Sequence, residues 1–190
     1  MAAFSGAKHG IAVASCTDAL FLSCKYLKVE EVMLPARTYI SVPMAVIHAG
    51  GKVIFEDFEW SGAYRLEPEL IWDSAKRMRR GMYHGGLYCL SFHLKKLLGI
   101  GRGGMVLTDD GDAVRWLRKA RLDGRNGDIP FMQDKVDMMG WNCYMTPDQA
   151  ARGLQLLEAL RSDDLPDLYD PYPDLRKMPV FKNHPQVIRI

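Results

Sequence analysis

The chain has 190 residues, of which 48% are hydrophobic and 25% are charged, and these fractions are typical of a soluble globular domain with a sizeable core. Its formal net charge is +2, so it lacks the overall field that would attract nucleic acid or an anionic membrane. The local basic cluster of Arg77, Arg79 and Arg80 fits a solvated loop or the neighbour of a phosphate group better than a nucleic-acid surface.

Short apolar segments alternate with helical patterns along the chain. Residues 10–16 predict a buried strand, and Thr17 and Asp18 suit the start of a helix that continues over 19–27. Further strands are predicted at 32–35, 53–55, 70–72, 87–92 and 105–108. Further helices are predicted at 41–49, 111–121 and 147–160, the last with Thr146 as its N-cap.

This alternation predicts an α/β fold, a three-layer sandwich in which a mostly parallel sheet carries helices on both faces. Ligands bind such sheets at strand ends and near helix N-termini. The turn at 15–18, Asp73 and Ser91 all follow predicted strands, so we expect them to converge on one site. Prolines recur after Ser162, which predicts an extended tail at 162–190 that wraps a body of residues 1–161 or is partly disordered.

The four cysteines form no C-x-x-C pair and show no metal-ligand spacing, so no metal site is predicted. Most of them lie in apolar stretches and are expected to be buried thiols, which fits a reducing cytoplasm. The apolar run at 11–24 is interrupted by Asp18 and follows no clear basic segment. We therefore interpret it as core rather than as a signal peptide or a membrane span.

Lys95 and Lys96 lie between an apolar run and the glycines at 99, 101, 103 and 104. A lysine held there can be partly desolvated, which lowers its pKa and makes its amine a nucleophile. From this stretch alone, a solvated surface lysine is the commoner explanation. A nucleotide-phosphate loop is a weaker alternative, because the spacing follows neither G-x-x-x-x-G-K-[ST] nor G-x-G-x-x-G.

The chain offers the residue types that a pyridoxal-phosphate site needs. Such a site requires a lysine, a carboxylate for the pyridine nitrogen, hydroxyls near a helix N-terminus for the phosphate, and a flat side chain against the ring. These requirements are met in turn by Lys96, Asp73, Thr17 with Ser91, and Tyr39. Each residue also has an ordinary explanation: Thr17 and Asp73 as helix caps, Tyr39 as strand packing, and Ser91 as a partner for the backbone.

Several short segments follow one another in a fixed order. They are Ser-Cys-Thr-Asp-Ala-Leu at 15–20, Pro-Ala-Arg-Thr-Tyr-Ile-Ser at 35–41, Gly-Lys-Val-Ile-Phe-Glu-Asp at 51–57, Asp-Ser-Ala at 73–75, Ser-Phe-His-Leu-Lys-Lys at 91–96, Gly-Gly-Met at 103–105 and Gly-Trp-Asn-Cys-Tyr-Met-Thr at 140–146. Together they resemble the motifs of the DegT-type sugar aminotransferases, a family of fold-type-I pyridoxal-phosphate enzymes. The resemblance covers about residues 4–160.

The resemblance implies a reduced fold-type-I large domain that binds pyridoxal 5′-phosphate. The family pattern S-F-H-x-x-K selects Lys96 over Lys95 as the Schiff-base lysine and general acid/base, with Asp73 as its catalytic partner on the pyridine nitrogen. The implied cofactor-binding residues are Cys16, Thr17, Tyr39, Asp73, Ala75, Ser91, Lys96 and Asn142. The family's counterpart of Asn142 reaches the phosphate of the neighbouring subunit, which implies a homodimer with a shared active site; as a bare residue, Asn142 also fits a turn.

The implied activity is transfer of an amino group from an amino acid, with glutamate as the expected donor, to a nucleotide-linked keto sugar in the cytoplasm. The chain departs from the family pattern in several places. It is short between Asp57 and Asp73, and the proline-rich tail stands where the family has a C-terminal domain. Lys76 replaces a common Gln or His, Arg102 a common Glu and Tyr144 a common Arg. The alternative is a cofactor-binding relic or a non-catalytic sugar-binding subunit without turnover.

Overall fold

The computed structural model describes residues 1–160 and 165–188, which form two sheets with flanking helices. The strands are β1 (His9–Val13), β2 (Glu31–Pro35), β3 (Lys52–Glu56), β4 (Tyr64–Leu66), β5 (Ile71–Asp73), β6 (Leu87–Ser91), β7 (Gly104–Thr108) and β8 (Val187–Ile188). The helices are α1 (Ala2–Ser5), α2 (Cys16–Leu27), α3 (Ser41–Ala49), α4 (Gly111–Ala120), α5 (Pro147–Glu158) and α6 (Pro179–Lys182), with 3₁₀ turns at Phe131–Gln133 and Leu175–Lys177.

The five-stranded sheet has the order β1-β7-β6-β5-β4, and the three-stranded sheet has the order β2-β3-β8. Pairing is parallel for β5–β6, β2–β3 and β3–β8, and antiparallel for β1–β7, β7–β6 and β5–β4. Met33 and Glu67 exchange backbone hydrogen bonds of 2.7 and 3.1 Å, which join β2 to the end of β4. The predicted α/β class is therefore confirmed, with parallel and antiparallel pairs in one mixed arrangement.

Strand direction decides where the functional residues gather. β1 and β6 are both antiparallel to β7, and β5 is parallel to β6, so these three strands point the same way. β2 joins them, because it is antiparallel to β4, which is itself antiparallel to β5. The carboxyl ends of these four strands meet at one edge, where ligands of α/β sheets bind.

Side chains alternate between two apolar clusters on opposite faces of the sheet, as the period of a strand requires. Along β6, Leu87 and Cys89 belong to the larger cluster beneath α2, α3 and α4, whereas Tyr88 and Leu90 belong to the smaller one. Residues from α1, from the loop after β5 and from the last turn of α5 cover the smaller cluster. Layers therefore lie on both faces, as predicted.

Most predicted elements are present with shifts of a few residues at their ends, and the helix at 41–49 is confirmed at both ends. The capping box of Thr146 and Gln149 begins α5. The sequence pattern missed α1, β4, α6 and β8, and α6 lies in the tail that was predicted to be extended. Within residues 1–160 and 165–188, the structure contains no helix that is both long enough and apolar enough to span a membrane.

The predicted tail packs against the body over residues 165–188. Leu175 and Phe181 are 1% and 2% exposed and join the larger core cluster, and β8 extends the three-stranded sheet. Residues 162–164, 189 and 190 of the predicted tail, and residue 161 at the predicted boundary, lie outside the described residues. The division at 161/162 stays a prediction.

Candidate active site

A cavity of about 540 Å³ opens at the edge where the four strands end. Its walls are formed by Ser15, Cys16, Thr17, Leu20, Tyr39, Ser41, Val42, Asp73, Ala75, Ser91, His93, Lys95, Lys96, Arg102, Gly103, Leu168, Tyr169, Asp170 and Tyr172. The volume lies in the range of small-molecule and cofactor sites. Of the residues expected to bind a cofactor, Cys16, Thr17, Tyr39, Asp73, Ala75, Ser91 and Lys96 all line it.

The start of α2 supplies an anion-binding surface. Ser15 caps the helix by accepting a hydrogen bond from the Asp18 N–H at 3.1 Å, and the first N–H groups of a helix have no partner within it. The Thr17 hydroxyl donates to the Ser41 hydroxyl at 2.8 Å, which joins α2 to α3 at the cavity. Thr17 therefore lies inside the helix, and the cap that was an alternative role for it belongs to Ser15.

The turn at 15–16 needs a glycine opposite it. A Cβ placed on Gly104 would lie 2.4 Å from the carbonyl carbon of Ser15 and 2.6 Å from the Cys16 nitrogen. Both atoms belong to the backbone, so no side-chain rotation relieves the clash. Gly104 thus lets the start of β7 lie directly against the N-terminus of α2, which gives a physical reason for the Gly-Gly-Met segment.

Asp73 is a buried carboxylate at the end of β5 and is only 5% exposed. Its Oδ1 accepts from the Ala75 N–H and its Oδ2 from the Tyr64 hydroxyl, both at 3.0 Å. Burial raises the pKa of Asp73, and these two hydrogen bonds oppose that rise, as do the positive charges of Lys96 and Lys76. A buried anion of this kind favours a ligand that brings a positive charge to it.

Lys96 lies in a tight turn between β6 and β7. Its N–H donates to the His93 carbonyl at 2.8 Å, and Leu94 N–H donates to the Gly101 carbonyl at 3.0 Å. His93, Lys95 and Arg102 line the same cavity. The wall that they form is strongly basic, whereas Asp73 is acidic. The Lys96 ammonium is also among the charges that bear on the pKa of Asp73. An amine and an acid thus share one cavity.

Tyr39, expected to lie against a cofactor ring, is 56% exposed and borders the cavity. The Ser91 hydroxyl accepts from the His93 N–H at 3.4 Å, so its own proton is available to a ligand. Cys16 is partly exposed at the cavity wall, but its thiol donates to the Cys89 carbonyl at 3.5 Å, and desolvation raises its pKa well above the ordinary value. Cys16 therefore remains a neutral thiol.

Two features of the cavity were not found by sequence reasoning. The first is Tyr64, which is buried behind Asp73 and also hydrogen-bonds the Thr38 hydroxyl at 2.6 Å. The second is a wall formed by residues 167–176, which we call the strap, and which contributes Leu168, Tyr169, Asp170 and Tyr172 to the cavity lining. No periodic pattern marks the strap in the sequence.

Asn142 does not line the cavity of its own chain. It lies on an exposed segment beyond α4, and its side-chain amide donates to Asp123 at 3.5 Å. This position is compatible with the expected role at a neighbouring subunit, which stays a prediction.

The residues around the cavity fit pyridoxal phosphate by their chemistry. An amine at Lys96, a buried carboxylate at Asp73, a helix N-terminus with the Thr17 hydroxyl, and an exposed ring at Tyr39 meet around one space. The arrangement can hold a phosphate dianion at one end and a positively charged ring nitrogen at the other, with an amine able to exchange protons between them.

Comparison with known proteins identifies relatives of this chain. It is 31% identical over an alignment of 221 positions to the spore coat polysaccharide biosynthesis protein SpsC of Bacillus subtilis, covering 86% of this chain and 55% of that protein. It is 26% identical over 197 positions to a UDP-N-acetyl-3-dehydro-α-D-glucosamine 3-aminotransferase of Acidithiobacillus ferrooxidans, covering 79% of this chain and 52% of that protein. The chain therefore spans about half the length of these curated relatives.

Solved structures share the fold. AtS13 from Actinomadura melliaura superposes with a TM-score of 0.74 at 21% identity, covering 83% of this chain and 57% of that one. The expected fold-type-I architecture is therefore confirmed.

A family profile covers most of the chain, with matches over residues 1–82 and 78–163. Pyridoxal 5′-phosphate is the cofactor of the matched family, as the motifs imply. The chain belongs to the DegT/DnrJ/EryC1/StrS aminotransferase family.

Proposed function

We propose that this chain binds pyridoxal 5′-phosphate and transfers an amino group from an amino acid, glutamate by family analogy, to a nucleotide-linked keto sugar. One observation carries the proposal: Lys96 and the buried Asp73 line the same cavity, beside the N-terminus of α2. The acceptor class is supported by the names of two relatives, the UDP-linked 3-aminotransferase above and a GDP-perosamine synthase of Caulobacter vibrioides.

In this proposal the chain's own residues hold the cofactor. The α2 N-terminus, Thr17 and Ser91 bind the phosphate, and the face of Tyr39 packs against the ring. The Asp73 carboxylate holds the proton on the ring nitrogen, because ion pairing favours both charged forms. When bound, the cofactor supplies an electron-withdrawing ring that accepts charge from the reacting carbon.

Lys96 has the proton-transfer role. Its Nζ accepts a proton from the substrate carbon and donates it again later in the reaction. The basic side chains of Lys95 and Arg102 attract an acceptor that carries phosphate groups.

We further propose a homodimer in which Asn142 completes the partner's site. Large apolar side chains are exposed on the segment that precedes this residue in sequence: Phe131, Met132 and Met139 are 62%, 91% and 85% exposed. Such a patch favours an interface. We also place the protein in the cytoplasm, because all four cysteines are free thiols.

Mixed dimers test the shared site. Lys96→Ala and Asn142→Ala chains are each expected to be inactive alone. When they are refolded together, a hybrid dimer has one site with both residues intact, so up to half of the activity per hybrid should return. Absence of recovery in hybrids of confirmed composition would contradict the shared site.

The activity itself is tested by absorption spectroscopy. The protein is loaded with pyridoxal phosphate and mixed with glutamate, and the visible band should shift as the amino group is transferred. Addition of a UDP-linked 3-keto sugar should restore the first spectrum and yield an amino sugar detectable by mass spectrometry. A spectrum unchanged by every amino donor would instead support a cofactor-binding protein without turnover.

A further inference from the structure

The strap contributes part of the cavity wall although it is distant in sequence from the other lining residues. Its side chains at the cavity are those of Leu168, Tyr169, Asp170 and Tyr172. Tyr169 is 84% exposed, so its ring extends into solvent beside the cavity opening. The position of this wall depends on what holds the strap.

Both ends of the strap are fixed to the body. At one end the Asp167 carboxylate accepts from Arg77 at 2.5 and 3.0 Å and lies 3.3 Å from the Arg79 guanidinium. At the other end the Leu175 N–H donates to the Ala36 carbonyl at 2.9 Å, and the Leu175 side chain is buried. The residues between these ends form the wall.

The middle of the strap is held by Lys76. The Lys76 side chain is only 4% exposed, and its Nζ lies 3.4 Å from both the carboxylate and the carbonyl oxygen of Asp170. The same Nζ lies 4.1 Å from the centroid of the Tyr172 ring and 5.1 Å from that of Trp60. The Leu168 N–H donates to the Lys76 carbonyl at 3.0 Å, so both backbone and side chain of Lys76 contact the strap.

A buried ammonium needs compensation, and here most of it comes from the strap. The Asp170 carboxylate supplies opposite charge, and the rings of Tyr172 and Trp60 supply cation–π attraction. These rings are stacked, with centroids 6.3 Å apart and an interplanar angle of 12°. Burial lowers the pKa of Lys76, and Asp170 opposes that change. Displacing the strap would remove both the carboxylate and one of the two rings.

We propose that Lys76 is a positioning residue that holds the strap as a wall of the cofactor site. This inference rests on the proposed function, since the wall has its role only if the cavity takes the cofactor. Lys76 follows Asp73 by three positions, so the acid of the site and the attachment of the wall belong to one short segment. The ring centroid of Tyr172 is 6.2 Å from that of Tyr39. By holding Tyr172, Lys76 therefore also supports the Tyr39 ring, which is expected to face the cofactor.

Hydrogen–deuterium exchange of the full chain tests the attachment. Lys76→Met keeps an unbranched side chain and removes the charge, so exchange at 167–176 should rise about tenfold, the size expected for losing a buried cation–π and ionic contact. Lys76→Arg restores the cation above the rings and should return most of the protection. Lys119→Met is the matched control, because it removes a lysine ion pair with Asp137, at 2.7 Å, that does not border the cavity. Unchanged strap exchange in Lys76→Met would overturn the attachment.

Binding of pyridoxal phosphate, followed by quenching of protein fluorescence, tests the wall. The dissociation constant should rise about tenfold in Lys76→Met and also in Tyr172→Leu, which removes one of the two rings above the Lys76 ammonium and leaves that charge in the chain. Faster strap exchange with an unchanged dissociation constant would overturn the role as a wall. A wild-type chain that takes up no pyridoxal phosphate would overturn the proposed function and the wall together, while the exchange comparison would still decide the attachment.

Discussion

The hydroxyl of Tyr64 donates a hydrogen bond of 3.0 Å to the buried carboxylate of Asp73, and the two residues are direct partners in the antiparallel pair of β4 and β5. Cross-strand partners project on the same face of a sheet, so the pairing itself places the phenol behind the acid. The Tyr64 hydroxyl is fixed from its other side by Thr38. Tyr64 is thus a structural support for the anion of the site.

Tyr64→Phe should weaken cofactor binding and shift its pH dependence. The hydrogen bond from Tyr64 lowers the pKa of Asp73, so its loss raises that pKa and decreases the ionised fraction at acidic pH. We expect the dissociation constant of pyridoxal phosphate to rise about three- to tenfold, and its acidic limit to move to higher pH. Titrations from pH 5 upward measure both.

Tyr26→Phe is the control for this substitution, because it removes a hydroxyl bonded at 2.8 Å to Asp110, which does not line the cavity. An equal loss of cofactor affinity in both variants would mean that the Tyr64 hydroxyl acts through stability alone.

The substitution Asp73→Asn should have opposite effects on folding stability and on cofactor binding. Burial raises the pKa of Asp73 above its ordinary value of 3.8, so the folded chain holds this proton more tightly than the unfolded chain. The free energy of unfolding therefore falls as pH rises through the window between 3.8 and the raised pKa, and it stays lower above that window. We expect the cofactor-free variant to melt at the same or a higher temperature at pH 7, with the difference fading toward acidic pH.

The same variant should bind pyridoxal phosphate at least about 30-fold more weakly, because the ring nitrogen loses its buried counter-ion. Thermal unfolding and fluorescence titration on one preparation give the two results. A variant that melts much lower yet binds the cofactor normally would contradict the role assigned to Asp73.

Lys96 and Lys95 should differ in covalent trapping. Both line the cavity, but only Lys96 matches the lysine position of the family motif. After borohydride reduction of the loaded protein, we expect peptide mass spectrometry to find the cofactor on Lys96. Lys95→Ala should keep this label and Lys96→Ala should lose it. Label on Lys95 in the wild-type chain would reassign the reactive amine.

Gly104→Ala should disturb both the fold and the phosphate-binding end of the site. Its Cβ would lie 2.4 Å from the backbone of Ser15, so β7 and α2 must move apart. We expect the free energy of unfolding to fall by about 1–3 kcal/mol. Cofactor binding should also weaken, and free phosphate at high concentration should compete with it less strongly than it does in the wild-type chain.

Gly111→Ala is the matched control for Gly104→Ala. The nearest atom to its Cβ is the Arg115 guanidinium nitrogen at 3.6 Å, an ordinary contact, and alanine suits a helix better than glycine. Its stability should stay within about 1 kcal/mol of wild type. Equal destabilisation of the two variants, measured by urea unfolding, would contradict the close contact at Gly104.

The sequence was sufficient to predict the elements and residues whose signals are local. The helix at 41–49 has an apolar pattern and ends at Gly50, which adopts φ +101°, and the structure has it at the predicted bounds. The residues predicted at strand ends, such as Asp73 and Ser91, share a cavity because β5 and β6 are parallel, as the α/β pattern favours.

What could not be predicted depends on contacts between distant segments. β4 is only three residues long, and its pairing with β5 decides that Tyr64 supports Asp73. Lys76 was recognised as a departure from the family pattern, but its partners Asp170 and Tyr172 lie more than ninety positions later and in no periodic segment. A lone Lys, Asp or Tyr carries no sign of such a partner.

The cavity joins Ser15 near the start of the printed sequence to Tyr172 near its finish. A ribosome adds residues in order, so the turn that would receive the phosphate emerges long before the strap that encloses the space above it. We therefore expect lasting uptake of the cofactor to follow translation of the strap, and we expect a nascent chain stalled before residue 167 to release the cofactor quickly.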